Sequence, residues 1–153
     1  MKLFAEPIAA VVGVVVIGRN ERPRLRGCLE SVGQPDCPIV YVDSASTDGS
    51  AELAESMGIP VIVLDNSQPH TADRARNAGW RWLRDHHPAM EFIQFVDGDT
   101  ILSDGWLPAG TRHLRLWNET AAVSGLLREQ QPADSIYNRL CDIEWRGPTG
   151  KID

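Results

Sequence analysis

The stretch Val11 to Ile17 is apolar, almost wholly β-branched and interrupted only by Gly13. Side chains alternate across a strand, so an unbroken run of this kind needs apolar cover on both faces. That demand fits a strand inside a mostly parallel sheet sheathed by helices. Even extended back to Ile8 the run is far shorter than the roughly 20 residues that span a bilayer. It reads as a buried strand rather than as a leader core. Only Lys2 is basic before it, and Arg19, Asn20, Glu21 and Arg22 follow where small cleavage-site residues would stand.

The rest of the chain alternates between strand and helix periods. Pro23 stands where a first helical turn tolerates it, Leu25, Cys28, Leu29 and Val32 follow at helical spacing, and Gly33 is a stop. Ile39 to Val42 reads as a second strand. Asp43 to Gly49, dense in Ser, Thr, Asp and Gly, reads as a loop in which Thr47 or Asp48 caps the next helix. Leu53, Ala54 and Met57 form that helix's inner face, and Gly58 ends it. Pro60 to Leu64 is a third strand, Asp65 to His70 a loop, and Ala72, Ala75, Gly79 and Leu83 mark a third helix.

Phe92 to Val96 is a fourth strand running into Asp97-Gly98-Asp99. Ser103 and Asp104 can cap a helix with inner face Leu107, Thr111, Leu114 and Trp117. Ala121 to Leu127 is a fifth apolar run, Ala133 to Trp145 a helix, and Gly147 to Asp153 a loop. This order is that of right-handed βαβ crossovers. The length of 153 residues holds one domain.

A net charge of −6 argues against binding nucleic acid, which needs a positive surface. Cys28, Cys37 and Cys141 are odd in number and widely spaced, so they fit neither a zinc site nor a disulfide framework. Free thiols suggest a cytoplasmic protein. The five tryptophans read as core or interface residues, with Trp145 the candidate to meet a partner. His70, His86, His87 and His113 have no ligand spacing.

Ligands of parallel sheets bind beyond the carboxyl ends of the strands, near a switch in strand order. Three polar clusters follow strands here: Gly18-Arg19-Asn20-Glu21, Asp43-Ser44-Ala45-Ser46, and Asp97-Gly98-Asp99. Two carboxylates one residue apart can face one hard divalent cation, and a Gly between them lets backbone approach closely. The same D-G-D is also turn chemistry. Asp43 can accept from a base or a ribose, or close an Asx turn; Asn20 can cap the helix at Pro23 or touch a ligand. Arg74, Arg76 and Asn77 ride the third helix, where an Arg can pair a phosphate or simply be solvated. Arg19, Arg22, Arg24 and Arg26 form a positive patch near the same crevice, mostly as surface charges.

Together these clusters resemble the family 2 glycosyltransferases. Val14 to Glu21 is similar to the family's opening strand and its Asn-Glu ending. Tyr41 to Ser50 is similar to its second-strand signature, Ala75-Arg76-Asn77-Ala78-Gly79 to its helix after the third strand, and Phe95-Val96-Asp97-Gly98-Asp99 to its D-x-D motif. The resemblance covers about residues 10 to 127. It implies a Rossmann-like GT-A fold, a UDP- or GDP-sugar donor, Mn2+ or Mg2+ as cofactor, and a glycan or lipid-linked acceptor, as in bacterial cell-surface polysaccharide synthesis at the inner face of the membrane. By resemblance Asp43 recognises the base, Asp97 the ribose or metal, and Asp99 the metal and diphosphate. Asn20, Glu21, Ser46, Arg76 and Asn77 line the donor site, and transfer inverts the anomeric centre.

Gly18-Arg19 replaces the family's Pro-x-aromatic step, and Ser44 stands where a second Asp is common. Family domains are longer, so the chain is expected to be the donor half (10–127) with the start of an acceptor half (128–153). The general base would then lie beyond Asp153, and a truncated edge could self-associate. Two alternatives stand beside this reading. One is a nucleotide-binding module without catalysis. The other is a haloacid-dehalogenase-like phosphatase, whose acidic motif would normally follow the first strand rather than the fourth. A classical NAD site is excluded by the missing G-x-G-x-x-G after the first strand.

Overall fold

A computed structural model of the protein describes residues 12–33, 37–147 and 150. Residues 8–11 of the first apolar run and most of the closing stretch 147–153 lie outside the described residues. The chain divides into two compact units, Met1–Arg112 and His113–Asp153. In chain order the elements are β1 (Val12–Gly18), α1 (Arg22–Val32), β2 (Ile39–Asp43), α2 (Ser50–Ser56), β3 (Val61–Val63), α3 (Ala72–His86), β4 (Phe92–Asp97), α4 (Trp106–Leu116) and α5 (Ile136–Glu144).

The first unit is a Rossmann-like α/β structure. Its four strands are all parallel in the order β3-β2-β1-β4. The β-branched run of β1 is central, paired with β2 on one side and β4 on the other, and Val12 to Ile17 are all buried. Alternation divides its side chains between two cores. Val14 and Val16 pack with Leu25, Cys28, Leu29 and Val32 of α1, Ala54 of α2 and Leu107 of α4. Val15 and Ile17 pack with Val40 and Val42 of β2 and with Ala75 and Leu83 of α3. Each fully buried Val or Leu contributes about 1.5–3 kcal/mol. The closeness of α3 depends on Gly79, where an added Cβ would fall 2.4 Å from Val15 Cγ1.

The sequence locates the ends of these elements closely, and the caps less well. Asn20 does not cap α1; Glu21 holds that position with no side-chain cap of its own. Thr71 caps α3 by accepting from the Arg74 N–H at 3.2 Å. Leu107 and Thr111 of α4 are buried as expected, but Leu114 is only half-buried. Trp117 lies past the last turn of α4 and is 62% exposed.

In the second unit the apolar run Ala121 to Leu127 forms no strand, and Leu126 and Leu127 are exposed. Ser124 and Gly125 interrupt it, and an interior Gly weakens a strand. The predicted last helix is present as α5, shorter than Ala133 to Trp145 and capped by Ser135, whose Oγ accepts from the Asn138 N–H at 3.1 Å. Buried Asp142 accepts from Arg128 Nε at 2.8 Å and Arg146 Nη2 at 2.6 Å. These bonds, Arg128's first, hold its carboxyl well below the usual range. Among the described residues no helix is long and apolar enough to cross a membrane.

Candidate functional site

Strand order reverses between β1 and β4, since β2 and β3 lie on one side of β1 and β4 on the other. Register places the carboxyl ends in one row: Gly18 pairs with Asp43, and Ile17 with Asp97. A cavity of about 340 Å³ opens at this switch, within the range of small-molecule sites. Residues from the ends of β1 and β4 line it (Gly18, Arg19, Glu21, Asp97, Gly98 and Asp99), together with Ser44 and with His70, Thr71, Ala72 and Arg76 from the start of α3.

The loops after β1 and β2 are stitched together. The Ser44 N–H donates to the Gly18 carbonyl at 2.9 Å, the Asn20 N–H to Ser46 Oγ at 2.8 Å, and the Thr47 N–H to Asn20 Oδ1 at 2.9 Å. The Glu21 N–H donates to Ser50 Oγ at 3.1 Å. Asp48 divides its carboxylate: Oδ2 accepts from the Arg22 N–H at 3.0 Å, and Oδ1 from the Ser50 N–H at 3.0 Å and its hydroxyl at 2.6 Å. Thus one side chain serves the starts of both α1 and α2. Partial burial raises its pKa, but the bonds from Ser50 and Arg22 outweigh this and leave it lowered. The seam holds Asn20 at φ 57 and Ala45 at φ 56, left-handed values uncommon for non-glycine residues.

Asp43 anchors the seam from below and is 1% exposed. Its Oδ1 accepts from the Tyr41 hydroxyl at 3.0 Å and the Ser46 hydroxyl at 2.6 Å; Oδ2 accepts from the Ser46 N–H at 2.7 Å. Burial first, then the Asp43 charge, raises the Tyr41 pKa, so the phenol stays a donor. Neither Asp43 nor Ser46 is among the residues that line the cavity.

The end of β4 is open. Asp97 and Asp99 side chains are 57% and 44% exposed. Gly98 donates its N–H to the Ile17 carbonyl at 2.7 Å, and a Cβ on it would meet that oxygen at 3.2 Å, so the turn lies flat on β1. Arg76 Nη2 bonds Asp97 Oδ1 at 3.0 Å. Arg24 bonds Glu21 Oε2 through Nε at 3.1 Å and Nη2 at 2.6 Å, with Nη1 3.8 Å from Asp99 Oδ2. Below the turn, burial and then the Asp99 charge push the Cys28 thiol up to about 12, so it remains protonated near the Asp97 carbonyl.

The cavity brings together Glu21, Arg76, Asp97 and Asp99, with Asn20 in its supporting seam. Asn77 is exposed on α3 and does not line it. The arginine patch separates by role: Arg19 lines the cavity, Arg22 binds Asp48, Arg24 reaches Glu21 and Asp99, and Arg26 pairs with Glu30 on the surface of α1. Arg74 is a strap on the β3–α3 loop, bonding the Asp65 and Gln68 carbonyls and the Asp65 carboxylate.

Sequence reasoning missed His70 and Thr71. His70 Nε2 meets Asn66 Oδ1 at 2.8 Å, and its Nδ1 is buried without a partner. Ligand-spacing rules could not find it, because Pro69 and the Thr71 cap place it by turning the chain into α3.

Two hard carboxylates suit Mn2+ or Mg2+ when the ligand supplies further oxygens. Among the described residues no group of three or more acidic, His or Cys side chains could hold an ion unaided.

The model of glycosyl transferase family 2 matches residues 13–149, which is most of the chain. The chain belongs to that family.

Proposed function

We propose that this member of glycosyl transferase family 2 binds the nucleoside diphosphate of a UDP- or GDP-sugar in the β1/β4 crevice and supports transfer of the sugar to an acceptor hydroxyl with inversion. Family membership supports glycosyltransferase activity. The observation that carries it is the convergence of Asp97, Asp99 and Arg76 on one cavity at the strand-order switch.

In this reading Asp97 and Asp99 hold Mn2+ or Mg2+, a cofactor common in the family, which would neutralise the diphosphate as it leaves. Arg76 and Arg19 present guanidiniums to phosphate oxygens. Glu21 and the Asn20 backbone shape the nucleoside side of the pocket. Asp43 and Ser46 hold the two loops in place rather than meeting the base directly. In transfer the acceptor oxygen bonds the anomeric carbon and gives its proton to a base. The carbon–phosphate-oxygen bond breaks, and its electron pair stays with the nucleoside diphosphate.

A second reading, nucleotide binding without catalysis, is favoured by one observation. The cavity's three carboxylates, Glu21, Asp97 and Asp99, each already lie beside a guanidinium. Calorimetric titration of UDP and then GDP, with and without Mn2+, tests the donor site. Binding that needs Mn2+ and is lost in Asp99→Ala is the expected outcome; no binding of either nucleotide to folded protein overturns it. Release of free sugar from the bound donor would exclude the non-catalytic reading.

A further inference from the structure

The cavity is electrically balanced in a way the motifs do not require. Three carboxylates, Glu21, Asp97 and Asp99, are matched by three guanidiniums, Arg19, Arg24 and Arg76. Arg76 is 3.0 Å from Asp97, and Arg24 is 2.6 Å from Glu21 and 3.8 Å from Asp99. All of these side chains except that of Glu21 are at least a third exposed, so water can take part in exchanging their partners.

A divalent cation arriving alone finds Asp97 and Asp99 each beside a guanidinium and, among the described residues, no group of three acidic, His or Cys side chains placed to hold it. Six or more oxygens are its usual demand. A diphosphate arriving alone brings its charge in among three carboxylates. A cation already on a diphosphate is nearly neutral and carries the missing oxygens with it. On its entry the cation takes the carboxylates, and the released guanidiniums take phosphate oxygens. Every charge keeps a partner throughout.

We infer that Arg76, bonded to Asp97, and Arg24, held on Glu21 within 3.8 Å of Asp99, act as resident counter-cations of the acidic pair and so weaken its hold on a divalent cation that arrives without a diphosphate. The inference rests on the donor-site reading above. It gives a role to Arg24, a helix residue outside every recognised motif.

Protein-bound Mn2+ is followed by equilibrium dialysis, without ligand and with pyrophosphate, UDP or GDP at equal concentration on both sides of the membrane. Mn2+ alone is expected to bind weakly, and the best of these ligands should tighten it at least about fivefold, with the same factor returned to the nucleotide by linkage. In Arg24→Ala and Arg76→Ala, Mn2+ alone should bind about fivefold more tightly than in the wild type, because a positive charge some 4 Å from its ligands is gone. Arg24→Lys and Arg76→Lys should stay near wild type. Both arginines are at the surface, and unchanged melting curves would confirm folding. Equal Mn2+ affinity in wild type and both alanine variants overturns the inference, as does Mn2+ binding that pyrophosphate, UDP and GDP all leave unchanged. Asp99→Ala separates the two levels. If it abolishes joint binding while the arginine variants do nothing, the donor site stands and the counter-cation role falls. If it leaves joint binding intact, the donor-site reading itself fails.

Discussion

Strands β2 and β4 end alike, Val42-Asp43 and Val96-Asp97, yet the two carboxylates have opposite fates. Asp43 is enclosed and receives hydrogen bonds from Tyr41 and Ser46. Asp97 is largely exposed, and among the described residues its carboxylate meets only the tip of Arg76. The difference lies in what the chain does next. After Asp43 the backbone folds back through left-handed Ala45 and brings its own N–H and hydroxyl to the carboxylate. After Asp97 it passes through Gly98, flat against β1, and brings no donor to the side chain. A carboxylate satisfied by fixed backbone becomes part of the scaffold. One paired with a long, solvated side chain remains available to a ligand.

Substitutions should separate the two ends clearly. The largest effect is expected for Asp43→Ala, which strands the Tyr41 hydroxyl and the Ser46 N–H and hydroxyl in the interior. A loss of ~3 kcal/mol is expected, measured by urea denaturation; a loss below ~1 kcal/mol would erase the contrast. Asp48→Ala comes next. It uncaps α1 and α2 together and should cost ~1–2 kcal/mol, again read from the denaturation midpoint.

Alkaline pH should weaken the scaffold in a related way. Cys28, raised to about 12, Cys37, raised to about 11, and Tyr41, also raised, are held neutral in the folded protein, in each case chiefly by burial. A folded pKa above the unfolded one adds stability that is full below the unfolded pKa and is lost as pH rises through the folded value. The thiols should therefore begin to cost stability above pH ~9, at a slope approaching ~1.4 kcal/mol per pH unit for each group. Stability measured from pH 8 to 11 should show this fall, with a shallower slope in Cys28→Ala. The smallest stability change belongs to Asp99→Ala, within ~0.5 kcal/mol as for an exposed residue, although the same variant should lose metal-dependent nucleotide binding. A large destabilisation there would make the β4 end a scaffold too.

Much of the first unit was legible because its signals are local. The β-branched run of β1, the helical spacing of Leu25, Cys28, Leu29 and Val32, and the place of Gly79 each follow from one period and one burial demand. The second unit was less so. Ala121 to Leu127 has the composition of a strand, but a strand needs a partner edge, and composition does not supply one. Nothing in the sequence singled out Asp142: Arg146 stands four positions after it, but Arg128, fourteen positions before it, reaches it only on folding.

The sequence by itself determined which segments of the first unit are strands, that β1 must be covered on both faces, and which acidic clusters follow which strand. It carried the family signature as well. The tertiary structure alone decided the order β3-β2-β1-β4, and with it that the crevice opens between β1 and β4. It also decided that Asp43 turns inward, that Asn20 bridges to Thr47 rather than capping a helix, and that Arg24 and Arg76 come to lie beside the acidic pair. The physical reason is range. Periodicity and capping are settled within a few residues, whereas lateral strand order and the meeting of a carboxylate with a guanidinium 21 positions away, as for Asp97 and Arg76, exist only once the crossovers have closed.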